Sequence, residues 1–156
     1  MNIQDLIVPD RVLCDEDISS KKRVLERLGE LIASAAPQNL SARAIFDSLV
    51  GRERLGSTGL GHGVALPHGR LGHSDQAIGA FVKLKRGVDF DAIDQQPVDL
   101  VFALLVPEHF TDEHLKILAS LAEMFSDREF CAELRASASG QALYQRLVAW
   151  QPYALG

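Results

Sequence analysis

The stretch Val98-Asp99-Leu100-Val101-Phe102-Ala103-Leu104-Leu105-Val106 is apolar at eight of its nine positions and stops at Pro107. It is far shorter than the roughly 20 apolar residues that span a membrane. A nearly unbroken apolar run of this length fits a strand covered on both faces, because a strand with one wet face would alternate. Turn-prone Asp91-Ala92-Ile93-Asp94-Gln95-Gln96-Pro97 precedes it, so both ends are punctuated and the run is read as the central strand of a sheet. Just upstream, Ile78, Ala80, Val82 and Leu84 interleave with Ala77, Gly79, Phe81 and Lys83. That is a second strand with cover on both sides.

Cover of that kind has to come from helices, and the flanks supply them. Ser19 or Ser20 can cap a helix reaching about Ala35, with Val24, Leu25, Leu28, Leu31, Ile32 and Ala35 on one face and Pro37 ending it. Ser41 opens a second helix with Ile45, Phe46, Leu49 and Val50 inward and Gly56 as its stop after Leu55. After the central strand, Thr111 caps a third, with Leu115, Leu118, Leu121, Ala122 and Phe125 inward; amphipathic segments at about Asp127 to Arg135 and Ser139 to Trp150 follow. The expected fold class is α/β: a mixed parallel and antiparallel sheet with helices on both sides. Repeats and low-complexity linkers are absent, and 156 residues of which 47% are hydrophobic suit one domain, 1–156, with its core at about 5–150.

Charge and cysteine usage narrow the function. A net charge of -5 and a pI near 5.5 oppose a phosphate-backbone footprint, so nucleic acid is not an expected partner. The N-terminus MNIQDLIVPD lacks a basic, then apolar leader, and no membrane insertion and a cytoplasmic location are expected. Cys14 and Cys131 form no CxxC pair and are read as reduced, partly buried thiols.

The character changes between Gly56 and Gly72. GSTGLGHGVALPHGRLG holds six of the twelve glycines, two histidines and one short apolar run, Val64-Ala65-Leu66. This reads as a loop, a short strand and a tight turn after Pro67. The stretch lacks GxxxxGK[ST], its glycines do not open a helix as GxGxxG, and GxSxG is missing, so neither a nucleotide loop nor an acyl-transfer serine is indicated. Histidines at 62, 68, 73, 109 and 114 have spacings unlike those of zinc sites, and no metal or cofactor is expected.

His68 stands between Pro67 and Gly69 at the exit of the apolar run. An imidazole there can attack phosphorus if one nitrogen keeps its lone pair while the other holds a proton in a hydrogen bond. Donors for the incoming oxygens would be glycine-rich backbone, the hydroxyls of Ser57 and Thr58, and a guanidinium such as Arg52. On the residues alone, a structural or merely exposed His68 is the favoured reading, as are Arg52 and Arg54 as solvated helix-end cations. His114 falls at about the third position of its helix, where the dipole opposes a second positive charge; an exposed first-turn histidine is the plain alternative. His62, His73 and His109 are read as solvated.

A resemblance decides between these readings. Arg52-Glu53-Arg54-Leu55-Gly56-Ser57-Thr58-Gly59-Leu60-Gly61-His62-Gly63-Val64-Ala65-Leu66-Pro67-His68-Gly69 resembles the active-site stretch of the fructose/mannitol-type enzyme IIA proteins of the bacterial phosphotransferase system. FDAIDQQPVDLVFALLVP and TDEHLKILASLAEMF are similar to its nitrogen-regulatory branch, enzyme IIA-Ntr, and the similarity runs from about Lys21 to Val148. His62 departs from the family, which more often has a small amide side chain there, and Arg54 replaces a commoner lysine.

The resemblance implies a mannitol-type IIA fold. It also implies a phosphotransferase-system component that forms a phosphohistidine at His68, with Arg52 neutralising the phosphate and His114 orienting it or hydrogen-bonding to it. Ser57 and Thr58 would add phosphate contacts. The implied donor is the phosphocarrier NPr, charged through enzyme I-Ntr, and the implied targets are regulatory proteins of the potassium-transporter or sensor-kinase type. The alternatives are a sugar-specific IIA that passes phosphate to a IIB protein, and a binding module whose histidine is never phosphorylated.

Overall fold

The computed structural model of the chain describes residues 3–34, 40–72, 76–109 and 111–151. Single 3-10 turns at Ile3–Asp5 and Pro9–Arg11 lead into β1 (Val12–Glu16). Then come α1 (Lys21–Ala33) and α2 (Ala42–Glu53), β2 (Gly59–Gly61), β3 (Val64–Ala65), β4 (His68–Arg70), β5 (Ile78–Val88) and β6 (Val98–Val106). Helices α3 (Asp112–Ser126), α4 (Arg128–Ala136) and α5 (Gly140–Ala149) close the chain. The caps are those the sequence offers: the Ser20 hydroxyl accepts from Arg23 N–H at 3.2 Å and Ser41 from Ala44 N–H at 3.0 Å.

The sheet order is β1-β5-β6-β3-β2, with β4 also on β6. β5 and β6 are antiparallel, whereas β1 on β5, and β3 and β4 on β6, are parallel. This is the mixed α/β sheet expected, and β6 is its centre. Alternate residues of β6 feed two cores. Leu100, Phe102 and Leu104 join Phe81, Leu121, Met124, Phe125, Leu134 and Leu143 on the side of α3, α4 and α5. Val101, Ala103 and Leu105 join Val24, Leu28, Ile32, Ile45 and Leu49 on the side of α1 and α2. Phe81 stacks on Phe125 with ring centroids 5.9 Å apart, which ties β5 to α3.

Several expectations need correction. No tight turn follows Pro67: Val64, Ala65, His68, Gly69 and Arg70 pair with Leu100, Val101, Leu104, Leu105 and Val106 in one register, and Leu104 N–H donates to the Pro67 carbonyl at 2.9 Å. Extended pairing continues through the proline because its carbonyl still accepts. Leu115 is 54% exposed, and α3 instead buries His114, Leu121, Met124 and Phe125. Helix α2 ends at Glu53, before Gly56. Ala35 and Pro37, expected at the end of α1, and His73 lie outside the described residues. β1 was not anticipated, and β5 runs on to Val88.

Candidate functional site

Strand β4 sets the site. In a strand, neighbouring side chains point to opposite faces, so His68 and Arg70 share one face and Gly69 has the other. A Cβ on Gly69 would meet the Ser48 carbonyl carbon at 3.1 Å and its Cβ at 3.2 Å, so glycine allows α2 to lie directly on β4. The Ser48 hydroxyl donates to the Arg70 carbonyl at 3.1 Å and locks that approach. His68 pairs in register with Leu104, a member of the α3-side core. Its side chain therefore leaves the sheet on the same face as that of Leu104.

His68 Nδ1 lies 3.0 Å from the Leu66 carbonyl oxygen. A carbonyl only accepts, so Nδ1 carries the proton and the neutral ring keeps its lone pair on Nε2. The ring is half-buried, and burial holds its pKa below the ordinary histidine value, with Arg52 and Arg70 adding to the depression; the Leu66 hydrogen bond and the Glu53 carboxylate oppose it. An open depression of about 340 Å³ is lined by Ser48, Gly51, Arg52, Leu55, His68, Gly69 and Arg70. The depression thus gathers the lone-pair imidazole of His68 and two arginines, residues of the type that suits an anion.

Of the other sequence candidates, Arg52 lines this depression, whereas His114, Ser57 and Thr58 do not. Arg52 gives one Nη1 donor to the Gly56 carbonyl at 2.8 Å. His114 is buried, and its Nδ1 accepts from Thr111 N–H at 3.1 Å. A neutral His114 thus carries its proton on Nε2, the tautomer opposite to His68. Ser57 and Thr58 do not line the depression, and the structure gives their hydroxyl protons elsewhere. Ser57 donates to the Phe90 carbonyl at 2.6 Å while accepting from Gly59 N–H, and Thr58 donates to Glu53 Oε1. Both hydroxyls are thus engaged within the fold, Ser57 linking Phe90 to Gly59 and Thr58 binding the Glu53 carboxylate. His109 is exposed, as expected. His62 is exposed as expected, yet bound: its ring Nε2 lies 2.9 Å from Arg128 Nη2, its N–H donates to Asp94 and its carbonyl accepts from Arg135.

Sequence reasoning gave no role to Glu53 or Arg70. Glu53 is buried, and its Oε1 accepts from Thr58 N–H at 3.1 Å while Lys21 Nζ stands 2.7 Å from Oε2. It anchors the loop to the end of α2. The signal for Arg70 was its place two residues after His68, which carries weight only if that segment is a strand. No group of three or more His, Cys, Asp or Glu side chains able to hold a metal exists among the described residues. No described helix is long and apolar enough to cross a membrane.

Residues 5–149 match the family model described as phosphoenolpyruvate-dependent sugar phosphotransferase system, EIIA 2. A nitrogen regulatory protein of Bradyrhizobium diazoefficiens is 44% identical over 94% of this chain and 95% of its own length. The crystal structure of nitrogen regulatory protein IIA-Ntr from Neisseria meningitidis superposes with a TM-score of 0.86 at 41% identity, covering 93% of this chain and 98% of that one. The mannitol IIA of Escherichia coli has a TM-score of 0.72 at 20% identity, covering 90% and 98%, and shares the fold.

Proposed function

Because the chain belongs to the EIIA 2 family of the phosphoenolpyruvate-dependent sugar phosphotransferase system, in its nitrogen-regulatory IIA-Ntr branch, we propose that it carries a phosphoryl group on His68 Nε2. The observation that carries this reading is the Nδ1–Leu66 hydrogen bond, which leaves Nε2 as the lone-pair nitrogen beside Arg52 at an open depression. The donor is the phosphohistidine of NPr. The Nε2 lone pair forms the new N–P bond, the P–N bond to the donor imidazole breaks, and its electron pair returns to the donor nitrogen.

Both ends of the transfer are imidazoles, so the step is close to isoenergetic and placement with anion stabilisation suffices. Arg52 neutralises the transferred group. His114 donates from Nε2 to a phosphoryl oxygen, the role its tautomer suits. Ser57 and Thr58 act indirectly by shaping the loop. The step uses no metal or cofactor.

Phosphorylation adds about -1.5 to -2 charge at neutral pH, and that change at an arginine-lined surface regulates which cytoplasmic partners dock. Target proteins of the potassium-transporter or sensor-kinase type are the regulated class in this reading. Intact mass after incubation with phosphoenolpyruvate, enzyme I-Ntr and NPr tests it. One acid-labile phosphate is expected on the wild type and none on His68→Ala; an unlabelled wild type beside a labelled control IIA overturns it.

A further inference from the structure

We propose that Arg70 is a second phosphate-binding guanidinium of the His68 site, acting with Arg52 on the oxygens of the transferred group. The inference rests on the carrier reading and adds to it a residue just beyond the Arg52 to Gly69 stretch that marks the family.

Geometry carries the argument. Residues i and i+2 of a strand project from one face about 7 Å apart, and Arg70 holds that relation to His68 because β4 is fixed on both sides. Its pairing with Leu104, Leu105 and Val106 sets the register, Leu71 N–H donates to the Val106 carbonyl at 3.0 Å, and the Ser48 hydroxyl holds the Arg70 carbonyl. Arg52 reaches the same depression from the last turn of α2. Arg52 and Arg70 thus line one depression with His68 from different elements, a helix end and a strand.

Charge gives the reason for two. The transferred group brings three oxygens and about -1.5 to -2 charge at neutral pH. Arg52 supplies one positive charge and has committed an Nη1 donor to Gly56. A second guanidinium brings the local charge to balance and adds donors in the planar geometry that suits phosphoryl oxygens. Arg70 takes no proton and forms no covalent bond in the step; the bonds made and broken remain those of the two imidazoles.

The test uses the full chain with Arg70→Gln and Arg70→Lys, and two phosphoryl donors: phospho-NPr, and phosphoramidate, a small N–P donor that presents no protein surface. Arg70→Gln should slow His68 phosphorylation about tenfold or more with both donors, as loss of a charge-assisted contact implies. Arg70→Lys should recover much of the rate. The His68 titration should move up in Arg70→Gln, a change that loss of a purely structural contact would not bring. Thermal unfolding alongside controls for the fold. An unchanged rate with phosphoramidate overturns the proposal, and so does a defect confined to phospho-NPr, which would make Arg70 a docking residue. A wild type that neither donor labels overturns the carrier reading itself, so the two failures are distinguishable.

Discussion

The imidazole of His68 is bonded to the carbonyl of Leu66, only two residues earlier, at 3.0 Å. The clamp is local: Pro67 between them stiffens the backbone, and the Leu104 N–H bond to the Pro67 carbonyl holds the segment on β6. The ring is oriented by the strand that bears it rather than by a remote side chain.

A pH dependence follows. Burial and the two arginines disfavour imidazolium at His68, so folded His68 should titrate below its ordinary value of about 6.5. The unfolded chain then binds a proton where the folded chain does not. This site's contribution to stability therefore falls as pH drops from about 6.5 through the folded pKa. Proton NMR of the His68 ring should show the low midpoint, and Arg52→Gln should raise it; a midpoint at or above 6.5 would contradict the electrostatic account.

Glu53 should be a stability residue of the loop. Its carboxylate takes the Thr58 N–H and hydroxyl and faces Lys21, so Glu53→Ala should cost about 2 to 3 kcal/mol, the scale of hydrogen bonds to a charged group left unpaired. Denaturant midpoints would measure it. A loss below about 0.5 kcal/mol would mean the loop stands without this anchor.

Gly69→Ala should push β4 away from α2. The added methyl meets Ser48 backbone and side chain at 3.1 and 3.2 Å, an overpacking that costs about 1 to 3 kcal/mol. Since His68 and Arg70 flank the position, labelling of His68 should slow as well. Unchanged stability and labelling would show that the contact yields freely.

At position 62 the backbone outweighs the side chain. His62 has φ +56°, a left-handed conformation that costs a non-glycine residue about 1 kcal/mol or more. His62→Gly relieves that cost while losing the Arg128 contact, so it should be close to neutral, whereas His62→Ala should destabilise. Thermal unfolding of the two variants gives the comparison, and a more stable alanine variant would sink the argument.

The sequence made the layers plain where pattern and burial agree. Val98–Val106 reads as a strand covered twice and is one, and Ser20 and Ser41, offered as caps, cap α1 and α2. What stayed hidden depended on tertiary pairing. β4 is three residues long, too short for periodicity to register, and without it the shared face of His68 and Arg70 is invisible. The hydroxyls of Ser57 and Thr58 look available in a linear reading because Phe90 and Glu53 reach them only in the fold. Leu115 was placed inward by helical spacing, yet the inward first-turn position of α3 went to His114, bonded to the backbone of Thr111. Recognition of the family supplied Arg52, His68 and His114 as a set; spacing alone did not connect them.

The two outermost strands, β1 and β2, have five and three residues. β1 slips register between Leu13 and Glu16, with Asp15 at φ +56°. β2 ends at Gly61, φ +92°, and the next N–H is bonded to Asp94. Neither presents the long, flat row of open amides and carbonyls on which a stray strand could template itself. The left-handed turns at Asp15 and Gly61 therefore also shield the rim of the sheet from fibril-like stacking, even in a crowded solution of identical chains.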